Sequence, residues 1–235
     1  LQSLMNEGAI FFFFSNRTKI TQADLLAAIE KVMIGPERKS HLHTEQERKI
    51  VAYHEAGHAL VASVLPNADP VHKVSIVARG HAGGYTLKLP LEERKLTNRA
   101  QFYDDLAMSL GGYVAEKIVF GDVTTGPSND LQVSSRLARN MVTKWGMSEI
   151  LGPVAYAGNT TGSAMWGEGI KNQEYSETTA KMIDDEVRSI MQNAEKRAHE
   201  VLDQYRGALD AIVTKLFEVE TLEREDYNKK KKKFG

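Results

Sequence analysis

The 235-residue chain contains no cysteine, which excludes disulfides and any thiolate metal site and suits a reducing compartment. A metal here would have to rest on His, Asp or Glu. Long hydrophobic runs are also lacking. The longest conspicuous one, Ala9 to Phe14, falls far short of the ~20 residues that span a bilayer. No signal peptide with a small-residue cleavage site precedes it, so the expectation is a soluble chain. Nor is there an excess of one charge: 30 basic residues stand against 31 acidic ones, a formal net charge of −1. Nothing in that balance attracts nucleic acid or an anionic membrane. A P-loop of the form G-x-x-x-x-G-K-[ST] is absent, and the chain by itself is not expected to hydrolyse ATP. Internal repeats are missing, and the only low-complexity tracts are Phe11 to Phe14 and Lys229 to Lys233. What remains is a globular composition, 42% hydrophobic, enough for one main domain with a small appendage.

Against that background His54-Glu55-Ala56-Gly57-His58 is the most informative stretch. It is the H-E-x-x-H pattern of zinc hydrolases. On a helix, residues four apart share a face, so His54 and His58 can direct a nitrogen each at one metal ion. Glu55 flanks that face, from where it can take a proton from water and make a nucleophile near neutral pH. The flanks, Ile50 to Tyr53 and Ala59 to Ala62, are apolar around nearly the whole helix and predict its burial. Two histidines and a glutamate inside a buried helix are costly without a strong partner, and a metal is that partner. Thr44 with Glu47 three residues later is a capping-box signature for the helix start, and Pro66 halts the apolar run.

The rest of the chain reads as mainly helical. Two helices, Leu1 to Ser15 and Thr21 to Met33, precede Gly35-Pro36 and a polar connector, Glu37 to His43. The domain boundary is placed there, giving an appendage of residues 1–34, a linker of 35–43 and a main domain of 44–235. Residues Val71 to Val77 and Gly84 to Leu89 predict a small β-hairpin beside the motif helix. Helix returns from Thr97 to Phe120, broken at Gly111-Gly112, where missing side chains would let another helix approach closely. After a loop from Gly121 to Pro127, Ser128 or Asn129 is expected to cap a helix running through Trp145, with Leu131, Leu137, Met141 and Val142 on its apolar side. Residues 152–170, rich in Gly, Ser and Thr, read as a surface loop or linker. Two more helices follow, roughly Gln173 to Tyr205 and Ala208 to Val219, the first with Met182, Ile183, Val187, Ile190, Met191 and Val201 as its core stripe.

Catalytic zinc ordinarily takes three protein ligands, so the motif must be completed from elsewhere. The metzincin continuation needs a glycine and a histidine where this chain has Val61 and Val64, which excludes that class. His41, His43, His72, His81 and His199 read as surface residues. Among the carboxylates, Asp130 follows a Gly-Pro loop in the first turn of a helix, where a short side chain has a fixed direction. An aspartate there equally serves the helix dipole, and Glu116, on an apolar helix, is a second candidate. The pattern of residues alone leaves both open.

Several ordered motifs resemble the peptidase domain of the FtsH family, the membrane-anchored, ATP-dependent AAA+ zinc proteases of bacteria, mitochondria and chloroplasts. They are Gly35-Pro36-Glu37-Arg38-Lys39-Ser40, Val51 to Leu60, Gly84-Tyr85-Thr86, Leu110-Gly111-Gly112, Thr124 to Leu131, Ala138 to Val142, Gly146-Met147-Ser148 and Leu151-Gly152-Pro153. The resemblance implies a mostly helical zinc-peptidase domain in which Asp130 is the third zinc ligand with His54 and His58, and Glu55 is the general base. It further implies that Glu116 orients a ligand histidine, and that Gly84, Tyr85 and Thr86 lie on a strand to which extended substrate adds by main-chain hydrogen bonds. Residues 1–34 would be the last helices of an AAA+ lid, with ATP and Mg2+ bound only in a nucleotide-binding core this chain does not carry. The implied assembly is a homohexameric ring acting on unfolded or membrane proteins. Membrane contact would come only through other parts of a longer protein, with the peptidase domain on the cytoplasmic side, or on the matrix, intermembrane-space or stromal side in an organelle.

Three stretches depart from the family pattern: Phe11 to Phe14 in place of small and basic residues, Lys229 to Lys233, and Pro127 in place of a small residue. A reading of another class uses the same ligands in a zinc-stabilised assembly domain without turnover. Glu55 argues against it, because a structural site is usually closed by a fourth ligand and needs no base. Two imidazoles and a carboxylate suit zinc, although nickel ranks close in affinity.

Overall fold

The computed structural model describes residues 2–14, 21–37, 44–80, 82–89, 96–156 and 175–231. Most of the connector, with His41 and His43, then His81, most of the 152–170 loop and the end of the lysine tract lie outside the described residues. The architecture is mainly α: nine helices and a three-stranded antiparallel sheet among the described residues. None of these helices is long and apolar enough to cross a membrane.

The N-terminal pair is α1 (Gln2–Phe14) and α2 (Gln22–Met33). Thr21 caps α2 through a complete capping box with Asp24, the reciprocal arrangement that satisfies two otherwise orphaned amides. Of the phenylalanine run, Phe13 is exposed.

The motif helix α3 (Glu45–Val64) begins with the second complete capping box, Thr44 with Glu47, and ends at Leu65, which leaves the helical region before Pro66. Its middle, from Glu55 to Ala62, is buried. Around it pack α4 (Arg99–Ser109), α5 (Gly111–Phe120), α7 (Glu177–Gln204) and α8 (Arg206–Val219), while α6 (Ser128–Thr143) packs on α4 and α7. The core runs through Leu60, Val61, Leu106, Val114, Met141, Ile183, Leu202 and Leu209.

The expected hairpin is present as β1 (Val71–Ser75) and β2 (Tyr85–Lys88), with Ser75 opposite Tyr85 and Val74 opposite Thr86. The sheet has a further strand, β3 (Thr221–Glu223), in the order β2-β1-β3, followed by α9 (Arg224–Lys231). Neither was expected. Glu220 ends α8 in the left-handed region at φ 59°, which turns the chain back beneath β1, where only three residues pair. Tyr227 of α9 is buried and donates its hydroxyl to Ala59 O of α3 at 2.8 Å.

Other expectations need correcting. Helix α6 is preceded by Pro127 at the N-cap with no side-chain cap, so Ser128 and Asn129 are its first helical residues, and it ends at Thr143 rather than Trp145. Leu131, in the first turn of α6, and Met182 are exposed rather than in the core, whereas Met141, Val142, Ile183, Ile190 and Val201 are buried as expected.

Candidate metal centre

The close approach of α5 to α3 is what builds the site. A Cβ on Gly57 would stand 2.4 Å from Gly111 O, and one on Gly111 would stand 2.8 Å from Gly57 O, so two glycines let the helix backbones touch. A Cβ on Gly112 would lie 2.5 Å from the His54 ring. The bare backbone there is the wall on which that imidazole rests.

His54 and His58 lie one turn apart with their Nε2 atoms 3.0 Å from each other. From the first turn of α6, Asp130 Oδ2 comes to 3.3 Å from His54 Nε2 and 3.5 Å from His58 Nε2. The edge of a tetrahedron of ligands around zinc, at bond lengths near 2.0–2.1 Å, is roughly 3.3 Å, so these three atoms fit a tetrahedral ion. They are the one such grouping of His, Asp and Glu side chains among the described residues.

The other ring nitrogens are already committed. Nδ1 of His54 is 2.8 Å from Glu116 Oε1, and Nδ1 of His58 is 2.8 Å from Met108 O. Those contacts fix each ring and direct Nε2 at the metal position, the way outer partners usually orient ligand histidines. Glu116 is itself held, its Oε2 accepting the Thr124 amide at 2.8 Å. That hydrogen bond secures the loop leading from α5 to Asp130.

Glu55, on the neighbouring face of α3, is buried. Thr86 Oγ1 on β2 donates to its Oε2 at 2.7 Å. Burial pushes the Glu55 carboxyl above the usual range, opposed by His54, His58 and the Thr86 hydrogen bond, with Asp130 adding to the rise. Burial works against a charged His54, but hydrogen bonds to Asp130 and Glu116 outweigh it and bring this imidazole up to about 10. Asp130 moves the other way: burial raises it, and the two histidines together hold it well below the usual carboxylate range. His54 and Asp130 thus each favour the other's charged form.

These groups open into a cleft of about 830 Å³. Its walls come from five places: the end of α2 (Met33, Ile34), α3 (Ile50, Val51 and the motif), the stretch Ala82 to Thr86, Glu116 of α5, and the loop from Thr124 to Asp130. Sequence reasoning placed His54, Glu55, His58, Asp130, Glu116 and the Gly84-Tyr85-Thr86 strand here, and the structure brings all of them together. His72 lies on β1 and His199 pairs with Asp203 on α7 at 2.9 Å, both apart from the centre. Sequence reasoning missed the Met108 carbonyl, which no side-chain pattern reveals, and the hydroxyl of Thr86 as the partner of Glu55.

The model of peptidase family M41 matches residues 41–229 of this chain. Among characterised proteins, the ATP-dependent zinc metalloprotease FtsH 1 of Sphaerobacter thermophilus is 50% identical over 224 residues, covering 95% of this chain and 34% of that protein. The ATP-dependent zinc metalloprotease FtsH of Thermotoga maritima is 46% identical over 227 residues, covering 96% of this chain and 37% of that protein. A third similar protein, the ATP-dependent zinc metalloprotease FtsH 3 of Petrotoga mobilis, is 44% identical over 223 residues, 94% of this chain and 35% of that protein. The chain thus spans about a third of the length of these relatives.

Proposed function

The chain belongs to peptidase family M41, and from that premise we propose that it is the zinc-endopeptidase portion of a longer ATP-dependent protease. The observation that carries this reading is the convergence of His54 Nε2, His58 Nε2 and Asp130 Oδ2 within 3.5 Å of one another, with Glu55 buried beside them. The three residues would hold zinc, which would supply Lewis acidity toward water and the scissile carbonyl. Glu55 takes the proton of the attacking water and passes it to the leaving amine. Its proton affinity, raised above that of a free carboxylate by burial, favours acceptance of that proton. Glu116 and the Met108 carbonyl keep the two imidazoles aimed while this happens.

The substrate is an extended, unfolded segment of a soluble or membrane protein. It lies along the outer edge of β2, an end strand in the order β2-β1-β3, with Gly84, Tyr85 and Thr86 presenting main-chain groups to it. Recognition through the backbone tolerates many side chains, as a processive protease requires. In the longer protein, residues 1–34 close an AAA+ lid, 35–43 link it to the peptidase domain of 44–235, and the peptidase domains form a homohexameric ring. Membrane anchoring and ATP hydrolysis reside in other parts of that protein.

The test is Glu55→Gln. This variant should retain about one zinc per chain and lose cleavage of an unfolded substrate by at least three orders of magnitude. Cleavage at the parent rate would remove Glu55 from the mechanism, and loss of the metal would make the substitution uninformative about the base and shift the test to Glu55→Asp, expected to cleave slowly with zinc retained.

A further inference from the structure

A second buried carboxylate lies outside the metal centre. Glu30 of α2 is only 2% exposed, and a carboxylate so buried must be paired. Its partners all come from the sheet side. Lys73 of β1 faces Oε1, the Tyr85 hydroxyl of β2 donates to Oε2 at 3.1 Å, and Arg79 Nη2 stands 3.5 Å from the same oxygen. Lys73 is shared with Glu223 of β3 at 2.8 Å, and the Arg79 guanidinium lies over the Tyr85 ring, 5.6 Å from its centre. One side chain of the N-terminal helical pair thereby gathers the strands of the sheet.

The segment that leaves this helix is seated on the turn that joins β1 and β2. The Gly80 amide donates to Pro36 O at 3.1 Å. Gly80 has φ +54°, and a Cβ there would stand 2.3 Å from Ile34 O, so only glycine permits this approach. Met33 and Ile34, at the end of α2, reach the catalytic cleft itself.

Neighbouring residues of a strand point to opposite faces. Tyr85 turns toward α2 and Glu30, and the next residue, Thr86, turns toward α3, where its hydroxyl holds Glu55 Oε2 at 2.7 Å. We infer that Glu30 and Thr86 are positioning residues for the general base: the N-terminal helices, through Glu30 and Tyr85, hold β2 where Thr86 can fix the Glu55 carboxylate. The inference rests on Glu55 being that base. It makes α2 part of the peptidase site, so a shift of this helix pair would be felt at Glu55 without any contact with the metal.

Spatial continuity is not coupling, and a double-mutant cycle supplies the missing evidence. The zinc-loaded chain, Glu30→Gln, Thr86→Val and the double variant are assayed with an unstructured fluorogenic peptide, at a temperature where circular dichroism finds each folded. Thr86→Val should lower kcat by about tenfold or more with little change in KM or zinc content, and Thr86→Ser should restore most of the loss. Glu30→Gln should lower kcat several-fold and speed amide exchange across residues 84–88, while adding nothing further in the Thr86→Val background. If Glu30→Gln fails to fold, Tyr85→Phe, which deletes only the hydroxyl, takes its place in the cycle. Effects that simply multiply, or a Glu30→Gln variant altered in thermal stability alone, would overturn the inference. So would an unchanged kcat in Thr86→Val. Cleavage by Glu55→Gln at the parent rate would instead bring down the assignment of the base, whatever the cycle gives.

Discussion

On the proposed reading a proton and a zinc ion compete for Nε2 of His54, because Glu116 already engages the other nitrogen and Asp130 stabilises the charged ring. The folded-state value, about 10, lies above the ordinary 6.5. The stability this proton contributes is therefore fully present below pH 6.5 and is lost as pH rises through about 10. Zinc needs the neutral imidazole, so the metal gains at the expense of the proton as pH rises. At pH 8, titration of the metal-free chain with zinc in two buffers of different ionisation enthalpy should report release of about one proton per zinc. No net release would mean that His54 is neutral before the metal arrives. Gly112 is the other residue on which this geometry turns. Its missing Cβ leaves room that the His54 ring fills, so Gly112→Ala must push the ring off its line to Asp130. Zinc affinity, read by competition with a chelator, should fall by about 10–100-fold. An unaltered affinity would mean that α5 can yield instead.

At the scale of elements, α3 has to be rigid at its start as well as at its motif, since His54 lies only two to three turns after the cap. Thr44→Ala removes the acceptor for the Glu47 amide and the hydroxyl that meets its carboxylate. Equilibrium unfolding should become less favourable by about 1 kcal/mol, with zinc content unchanged. A loss well above that would show that Thr44 does more than cap. Such local signals are also what made α3 legible in the sequence: both halves of the capping box, the apolar flanks and the break at Pro66 all depend on residues near one another in the chain. The same holds for α2, whose cap at Thr21 follows from Asp24, and for the β1–β2 hairpin. Elements that depend on distant partners were not legible. Strand β3 is three residues long with one buried side chain, and it is a strand only because β1, about 150 residues earlier, offers an edge to pair with. Leu131 and Met182 carry the right hydrophobicity for the core yet stand exposed, because which apolar side chains a helix buries is decided by the partners it meets in the fold.

For the whole molecule, the proposed metal centre is a joint between parts that the chain keeps far apart. His54 and His58 belong to α3 and Asp130 to α6, and the motif spacing announced the first two while the third was open between Asp130 and Glu116 until a family resemblance pointed to Asp130. Physical reading could not choose, because the choice depends on the path of the Gly121 to Pro127 loop, which is set by the Thr124 amide bonding back to Glu116. A ligand that bridges two elements of the folded state and none of the unfolded chain stabilises by mass action, about 4 kcal/mol when its concentration is a thousand times its dissociation constant. For a chain of this size each kcal/mol moves Tm by roughly 2–4 °C, so saturating zinc should raise Tm by on the order of 10 °C. Asp130→Ala separates this bridge from mere binding. With two imidazoles from one helix still available, the variant retains a weak site confined to α3, yet nothing then ties α6 to it. Calorimetry should find its Tm nearly insensitive to zinc at concentrations that shift the parent fully. A shift as large in Asp130→Ala as in the parent would mean that Asp130 is not the bridge, the third ligand coming from another residue.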